Sequence, residues 1–233
     1  MEDPETYAAR LAERGVVAVE GYVPADRCDQ FRSDIEAVLD GLPSAPPDAD
    51  YGDLAAWDGA VVKQRSGDWD AGMLDVFNID AAVPELASFR NDEFVEEMIN
   101  GATPAGQTYA ADNLNAYVNR SVTETRDFHA DTYSGKFKSF LYLTDVPDEA
   151  HGPFSYIPGS HRQSTVKKKS TALVNRVRDR PATDAAFYST GDAETFTAPR
   201  GTLIVANQAG YHRGTPQEPG HERMLVTTAY TPR

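Results

Sequence analysis

The sequence predicts a mainly β protein in which short strands form a sandwich or barrel flanked by α-helices. From Tyr109 onward, short apolar stretches are separated by Gly, Pro, Asp and Asn, which is typical of such folds. Upstream of Tyr109, several stretches carry helix signals instead. The 233 residues suffice for one domain with a sizeable core. We therefore expect a single domain over residues 1–233, with a helical and variable N-terminal region at 1–108 and the β core at 109–233.

Capping residues delimit the expected helices of the N-terminal region. Asp3 and Pro4 read as an N-cap followed by proline at the first helical position, and Gly15 ends this helix. Residues 24–40 show the same helix pattern, starting at a proline, and place apolar side chains on one helical face. A further short helix is expected at residues 92–99. These signals predict helices that pack outside the β core.

The stretch 113–120 alternates polar and apolar residues, which predicts a strand with different faces. Asn115, Tyr117 and Asn119 share one face, and the apolar residues between them share the other. The polar face either meets solvent or lines an interior site. The pattern alone leaves both possibilities open.

Composition excludes several classes of function. The formal net charge of −14 argues against general nucleic-acid binding, which needs a basic surface. No apolar stretch approaches the roughly 20 residues of a membrane-spanning helix, and residues 1–4 lack the features of a signal peptide. The single cysteine, Cys28, rules out an internal disulfide and suits a reducing compartment. We expect a cytoplasmic monomer or homodimer.

The stretch Asp127-Phe128-His129-Ala130-Asp131 is the most informative feature of the chain. If it is extended, His129 and Asp131 lie on one face, within reach of a common ion. Two histidines and one carboxylate can hold Fe(II) on one side and leave the opposite coordination positions open. The stretch 211–216 offers the second imidazole. In a chain rich in Asp, however, one His-x-Asp is close to chance.

The surrounding sequence strengthens this interpretation. The following features occur in order after His129-Ala130-Asp131: the apolar run 140–143, the acidic turn 145–149, the stretch Gly152-Pro153-Phe154-Ser155-Tyr156-Ile157-Pro158-Gly159-Ser160-His161, the strand pattern Gly201-Thr202-Leu203-Ile204-Val205, His212 and Arg223. In these residues the chain resembles the phytanoyl-CoA dioxygenase family of iron- and 2-oxoglutarate-dependent oxygenases. Residues 13–23 are similar to the start of the family's domain. The resemblance implies a double-stranded β-helix, the cupin-like jelly roll, as the core.

The same resemblance implies the cofactors and the site. It gives Fe(II), 2-oxoglutarate as co-substrate, and O2. It assigns His129, Asp131 and His212 as metal ligands, Arg223 as the ligand of the 2-oxoglutarate carboxylate, and Asn115, with Tyr117 as second choice, as a further co-substrate contact. Alternation along the strand places Thr227 on the same side as Arg223, so Thr227 is a further expected contact. His221 is a weaker candidate ligand than His212, because it would share a strand face with Arg223 and leave no room for the co-substrate.

The expected reaction is hydroxylation of an unactivated C–H bond of a small molecule, with release of succinate and CO2. Asp131 disfavours a halogenase, in which this position is typically Gly or Ala. Two other functions remain open. One is a cupin-like metalloenzyme that does not use 2-oxoglutarate, and the other is a catalytically silent jelly-roll binding protein.

A basic cluster follows the Pro-Gly-Ser-His stretch and includes Lys167, Lys168 and Lys169. Such a run is commonly a solvated face that balances an acidic surface. Alternatively, it belongs to a lid that steers an anionic substrate towards the site. The expected partner is therefore a small molecule, with an anion as one specific possibility.

Overall fold

The structure is a computed structural model that describes residues 2–67 and 69–233, with the backbone alone for Thr190. The helices are α1 (Pro4–Arg14), α2 (Ala25–Leu39), α3 (Tyr51–Ala55), α4 (Glu93–Ala102) and α5 (Thr165–Val177), with short 3-10 helices at Ile79–Ala81, Pro84–Phe89 and Thr190–Asp192. The strands are β1 (Val16–Val19), β2 (Val61–Gln64), β3 (Leu74–Phe77), β4 (Tyr109–Arg120), β5 (Phe137–Tyr142), β6 (Phe154–Tyr156), β7 (Glu194–Phe196), β8 (Leu203–Asn207), β9 (His212–Gly214) and β10 (Glu222–Pro232).

The capping signals place the first helix correctly. The Asp3 carboxylate accepts a hydrogen bond from the Thr6 amide, and Pro4 occupies the first turn. Gly15 ends α1 in the left-handed region, with φ 80°. The expected helices at 24–40 and 92–99 correspond to α2 and α4. Capping residues therefore locate both ends of α1, whereas α2 begins after Pro24 without a side-chain cap and α4 continues to Ala102.

Two antiparallel sheets form the core. The larger sheet has seven strands in the order β1-β8-β5-β10-β4-β3-β2, and the smaller has the order β7-β6-β9. Phe140 of β5 lies against Phe154 of β6, with ring centroids 4.8 Å apart. An apolar cluster from both sheets fills the space between them. The predicted fold class, a mainly β jelly roll with flanking helices, is confirmed.

The side chains of β10 show how the large sheet separates two environments. Met224 and Val226 join the apolar cluster beneath the helices, whereas Leu225 joins the cluster between the sheets. Alternation puts Arg223 and Thr227 on the same inner face as Leu225. The inner face of this strand therefore carries the polar residues that concern function.

Residues 1–108 contribute strands as well as helices. β1 pairs with β8, and β3 pairs with β4, so the N-terminal part extends the large sheet at both ends. The division at residue 108 stays a prediction. Within the described part of the chain, no helix has the length and apolar character needed to cross a membrane.

Candidate metal centre

Backbone pairing brings the two candidate histidine ligands together. His129 and His212 exchange backbone hydrogen bonds of 3.0 and 2.9 Å. The Asp131 amide donates to the Gln208 carbonyl at 3.1 Å. Residues 127–131 do not form a regular strand, and His129 instead makes isolated antiparallel bridges to Asp184 and His212. This pairing still turns both imidazoles and the carboxylate to one side.

The three predicted ligands form one compact group. Asp131 Oδ1 lies 3.4 Å from His129 Nε2 and 3.7 Å from His212 Nε2. All three candidate ligand atoms lie within 4.8 Å of one another. Donors at right angles about 2.1 Å from a shared ion would be about 3 Å apart, so the three atoms must move closer together when an ion binds. Two imidazole nitrogens and one carboxylate oxygen match the donor set of a facial Fe(II) site.

Both imidazoles are oriented for metal binding by the backbone. His129 Nδ1 lies 2.8 Å from the Asp127 carbonyl, and His212 Nδ1 lies 3.0 Å from the Gly210 carbonyl. A carbonyl can only accept, so each Nδ1 carries the proton and Nε2 is left with its lone pair. Burial lowers the pKa of His212 to about 4, which keeps this imidazole neutral near pH 7.

Lys138 binds the second oxygen of the carboxylate. Its Nζ lies 2.7 Å from Asp131 Oδ2, while Oδ1 faces the two imidazoles. Burial works to raise the pKa of Asp131, but Lys138 and the neighbouring imidazoles hold it well below its usual value. Asp131 is therefore ionised, and only one of its oxygens is directed at the metal position.

Arg223 is a buried cation without a partner acid. Among the described residues no carboxylate pairs with it, its Nη1 donates to the Gly152 carbonyl, and its Nε has no hydrogen-bond partner. Burial lowers its pKa. Its Nη2 lies 3.5 Å from where a Cβ on Gly214 would be, two residues beyond His212 on β9. A dicarboxylate bound at the triad would provide the missing counter-charge.

A cavity of about 1350 Å³ opens in front of the triad. His129, Asp131, Asn115, Tyr117 and Thr227 all line it, but His212 and Arg223 do not. The polar face of β4 is thus an interior wall rather than a solvent-facing surface. Its role in holding a co-substrate stays a prediction.

Two of these wall residues have unused hydrogen-bonding capacity. The Asn115 carbonyl oxygen accepts from the Asn78 amide at 3.3 Å, which leaves the Asn115 NH2 group for a ligand. The Thr227 hydroxyl is buried and has no partner in the described part of the structure. Both groups fit the contacts expected of them.

The sequence and the geometry agree with a comparison to known families. The model of the family described as phytanoyl-CoA dioxygenase (PhyH) matches residues 11–224. The chain belongs to the phytanoyl-CoA dioxygenase family. No curated protein sequence matches the chain.

Several solved structures share the fold of this phytanoyl-CoA dioxygenase family member. The epimerase SnoN, in complex with Fe3+, α-ketoglutarate and nogalamycin RO, has TM-score 0.63 and 15% identity over 98% of this chain and 83% of that chain. The carbocyclase SnoK from nogalamycin biosynthesis has TM-score 0.63 and 16% identity over 97% and 82%. HygX from Streptomyces hygroscopicus with iron bound has TM-score 0.65 and 14% identity over 99% and 86%. The expected cofactors agree with these findings.

The remaining basic candidates neither belong to the triad nor line the cavity. His221 is not among the three clustered ligands, and its ring packs against His151 at 4.5 Å between centroids. Lys167, Lys168 and Lys169 lie on α5, and none of them lines the cavity. Lys167 Nζ instead lies 3.9 Å from the centroid of the Tyr188 ring.

The sequence analysis missed Lys138 and Arg65, which both line the cavity. Lys138 could have been found by alternation, because it shares the inner face of β5 with Phe140 and Tyr142. An inward lysine in such a strand needs a partner acid. Arg65 pairs with the fully buried Asp75, and no local pattern indicates that pair.

Proposed function

We propose that this protein is an Fe(II)- and 2-oxoglutarate-dependent dioxygenase that hydroxylates an unactivated C–H bond of a small molecule. Succinate and CO2 would be the co-products. The observation that carries the proposal is the combination of the His129, Asp131 and His212 triad with the uncompensated Arg223 on the inner face of β10. The triad fits a divalent ion, and the arginine fits the far carboxylate of a dicarboxylate.

The residues of the chain prepare the site for these groups. Asp131 offers one ionised oxygen, because Lys138 holds the other. Arg223 offers a planar guanidinium that can bind a carboxylate through two parallel hydrogen bonds. Iron with O2 would supply the oxidising chemistry, while the protein supplies orientation and exclusion of water.

Hydroxylation is the specific reaction that we propose within this class. Asp131 fills the coordination position that a halide would need, so halogenation is disfavoured. SnoN and SnoK are described as an epimerase and a carbocyclase, so a ring-forming or related oxidation is the main alternative outcome. Product analysis by mass spectrometry separates them, since hydroxylation adds one oxygen atom and ring closure removes two hydrogen atoms.

The first test is spectroscopic and needs no substrate. Fe(II) and 2-oxoglutarate are added anaerobically to the purified protein, and the weak visible metal-to-ligand charge-transfer band is recorded. The band should form, be lost in His129→Ala and weaken in Arg223→Ala. Arg120→Ala is the control, because Arg120 is exposed and pairs with Glu222 at the surface.

The absence of the band in folded, iron-loaded protein would contradict the proposal. A cupin-like enzyme without 2-oxoglutarate would still bind iron through the triad. A catalytically silent binding protein would bind neither iron nor 2-oxoglutarate. Iron content and band formation together therefore distinguish the three functions that the sequence left open.

A cytoplasmic location is part of the same proposal. Cys28 is a free, buried thiol, and burial raises its pKa to about 11. Such a thiol is unreactive and suits a reducing compartment. Fractionation of the native host, with detection by antibody, would test the location.

A further inference from the structure

The cavity in front of the triad is basic, although the protein is strongly acidic. The charged residues that line it are Lys63, Arg65, Arg126, Lys136 and Lys138 on the basic side and Asp70 and Asp131 on the acidic side. The whole chain has a formal net charge of −14. Asp75 and Asp184 lie behind the wall and pair with Arg65 and Arg126, so four carboxylates face the five cations and the basic excess is one charge. Fe(II) and 2-oxoglutarate carry opposite charges of equal size, so their binding leaves this excess in place. A cavity of this sign attracts anions.

Arg65 is held in a fixed orientation by two carboxylates. Its Nε and Nη2 lie 3.0 and 2.9 Å from Asp75 Oδ2, and its Nη1 lies 2.9 Å from Asp70 Oδ2. Asp75 is fully buried behind the cavity wall. A guanidinium has five N–H donors, so these contacts leave two for a ligand. Buried ion pairs contribute little net stability, and here the pair immobilises a cation at the cavity wall.

Aromatic rings separate the cations along this wall. The Arg65 guanidinium lies 5.8 Å from the centroids of both Tyr117 and Tyr51, and Lys63 Nζ lies 5.6 Å from that of Tyr51. Tyr51 is 49% exposed at the outer end. Tyr117 is at the inner end, where the charges of Lys138 and Asp131 act on it. The wall thus runs from the solvent towards the triad.

Residues 65–67 and 69–70, which lie between β2 and β3, line one side of the cavity. The Asp70 amide donates to the Glu124 carbonyl at 2.8 Å. Arg126 lies 5.9 Å from the centroid of the Trp69 ring and is itself held by Asp184 at 2.6 Å. These contacts join residues 69–70 to the segment that precedes His129. A ligand held by Arg65 would therefore lie between these residues and the triad.

We propose that the substrate carries an anionic group, a carboxylate, sulfate or phosphate, which binds Arg65 and Lys63 while the rest of the molecule extends to the triad. This inference rests on the proposed function for its oxidised end, but the anion site is a separate set of residues. Arg223, which would hold 2-oxoglutarate, lies on β10 and does not line the cavity. The anion site consists of Arg65 and Lys63, whereas the expected co-substrate contacts Asn115, Tyr117 and Thr227 are other side chains of the same cavity.

The test uses small probes of matched shape and different charge. Phenyl phosphate, phenyl sulfate, benzoate, benzyl alcohol and benzylammonium are titrated by calorimetry into the protein loaded anaerobically with Fe(II) and 2-oxoglutarate. At least one anion should bind about tenfold more tightly than the alcohol, since a charge-assisted pair contributes about 1.5 kcal/mol or more. The anion that binds most tightly shows whether the anionic group of the substrate is a carboxylate, a sulfate or a phosphate. Benzylammonium should not bind detectably.

Variants locate the binding. Lys63→Met should raise the Kd of the preferred anion about tenfold. Arg65→Met leaves Asp75 unpaired, so the double variant Arg65→Met/Asp75→Leu replaces the whole pair and should weaken binding at least as much. Lys169→Met removes the same charge outside the cavity and should leave the affinity unchanged.

Equal binding of anions and alcohol, or equal effects of the Lys63 and Lys169 variants, would overturn the inference. The charge-transfer band is recorded in every sample. If it is absent in the wild-type protein, the proposed function fails. Calorimetry on that protein still decides whether the wall prefers anions. Loss of the band only in the wall variants would show that these residues hold 2-oxoglutarate, which also overturns the inference.

Discussion

Replacing Arg223 with methionine should stabilise the free protein and at the same time remove its affinity for 2-oxoglutarate. The Arg223 side chain is buried, has no partner acid among the described residues and leaves Nε without a hydrogen bond. Such a group costs about 1–3 kcal/mol. Methionine removes this cost but loses the hydrogen bond to the Gly152 carbonyl. We expect a net gain of about 1 kcal/mol, which raises Tm by about 2–4 °C.

The loss of binding free energy for 2-oxoglutarate in Arg223→Met should be larger than the gain in stability of the free protein. In the complex, the variant would leave a buried carboxylate without its cation, which costs about 3–5 kcal/mol. The Kd should therefore rise by about a hundredfold to a few thousandfold. Arg223→Lys keeps the charge but loses one of the two parallel hydrogen bonds. Its Kd for 2-oxoglutarate should therefore lie between those of the wild-type protein and of Arg223→Met.

Thermal unfolding with and without 2-oxoglutarate, and anaerobic titration of the charge-transfer band, measure the two effects. Arg120→Met should change neither quantity, because Arg120 forms an exposed ion pair with Glu222. The reasoning fails if Arg223→Met loses several kcal/mol of stability and keeps its 2-oxoglutarate affinity. Arg223 would then be a structural residue.

Three further predictions concern the triad. Gly210→Ala should destabilise the fold by about 2–4 kcal/mol in chemical denaturation, because its Cβ would lie 1.8 Å from Tyr156 Oη; an unchanged midpoint would contradict this packing. Burial lowers the pKa of His212 to about 4 from the usual 6.5 of a free histidine, so the unfolded state binds more protons between these values. The metal-free protein should therefore lose about 2 kcal/mol of unfolding free energy between pH 7 and pH 5, and an equal loss in His212→Gln would refute that assignment. Lys138→Met should raise the pKa of Asp131 in a 13C NMR titration of the metal-free protein, whereas no change would exclude the ion pair as its cause.

Local sequence signals predict the parts of the fold that local forces control. Asp3, Pro4 and Gly15 locate α1, because capping is decided within a few residues. The alternation of 113–120 predicts both faces of β4, because burial has a period of two in a strand. These elements follow from neighbouring residues alone.

The candidate site is predictable only in part. The spacing of His129 and Asp131 indicates two ligands, the family resemblance adds His212, and the structure brings the three together. The Arg65 and Asp75 pair was not identified, because its two charges meet through the pairing of β2 with β3 and not through sequence spacing. The position of the segment around His129 is not predictable from local sequence for a related reason. The chain there is held by contacts with distant segments.

Tyr156 links the end of the first helix to the metal centre. Its ring lies parallel to that of His212, with an interplanar angle of 10°, and its hydroxyl donates to the Asn207 carbonyl. Gly15 lies so close that a Cβ there would be 2.5 Å from the same hydroxyl. Opening of α1 in a native-state fluctuation would thus remove the support beneath an imidazole more than 190 positions away along the chain. Amide exchange in the last turn of α1 and at Gly15 should therefore rise and fall together with the rate of iron dissociation, because both would belong to one cooperative unit.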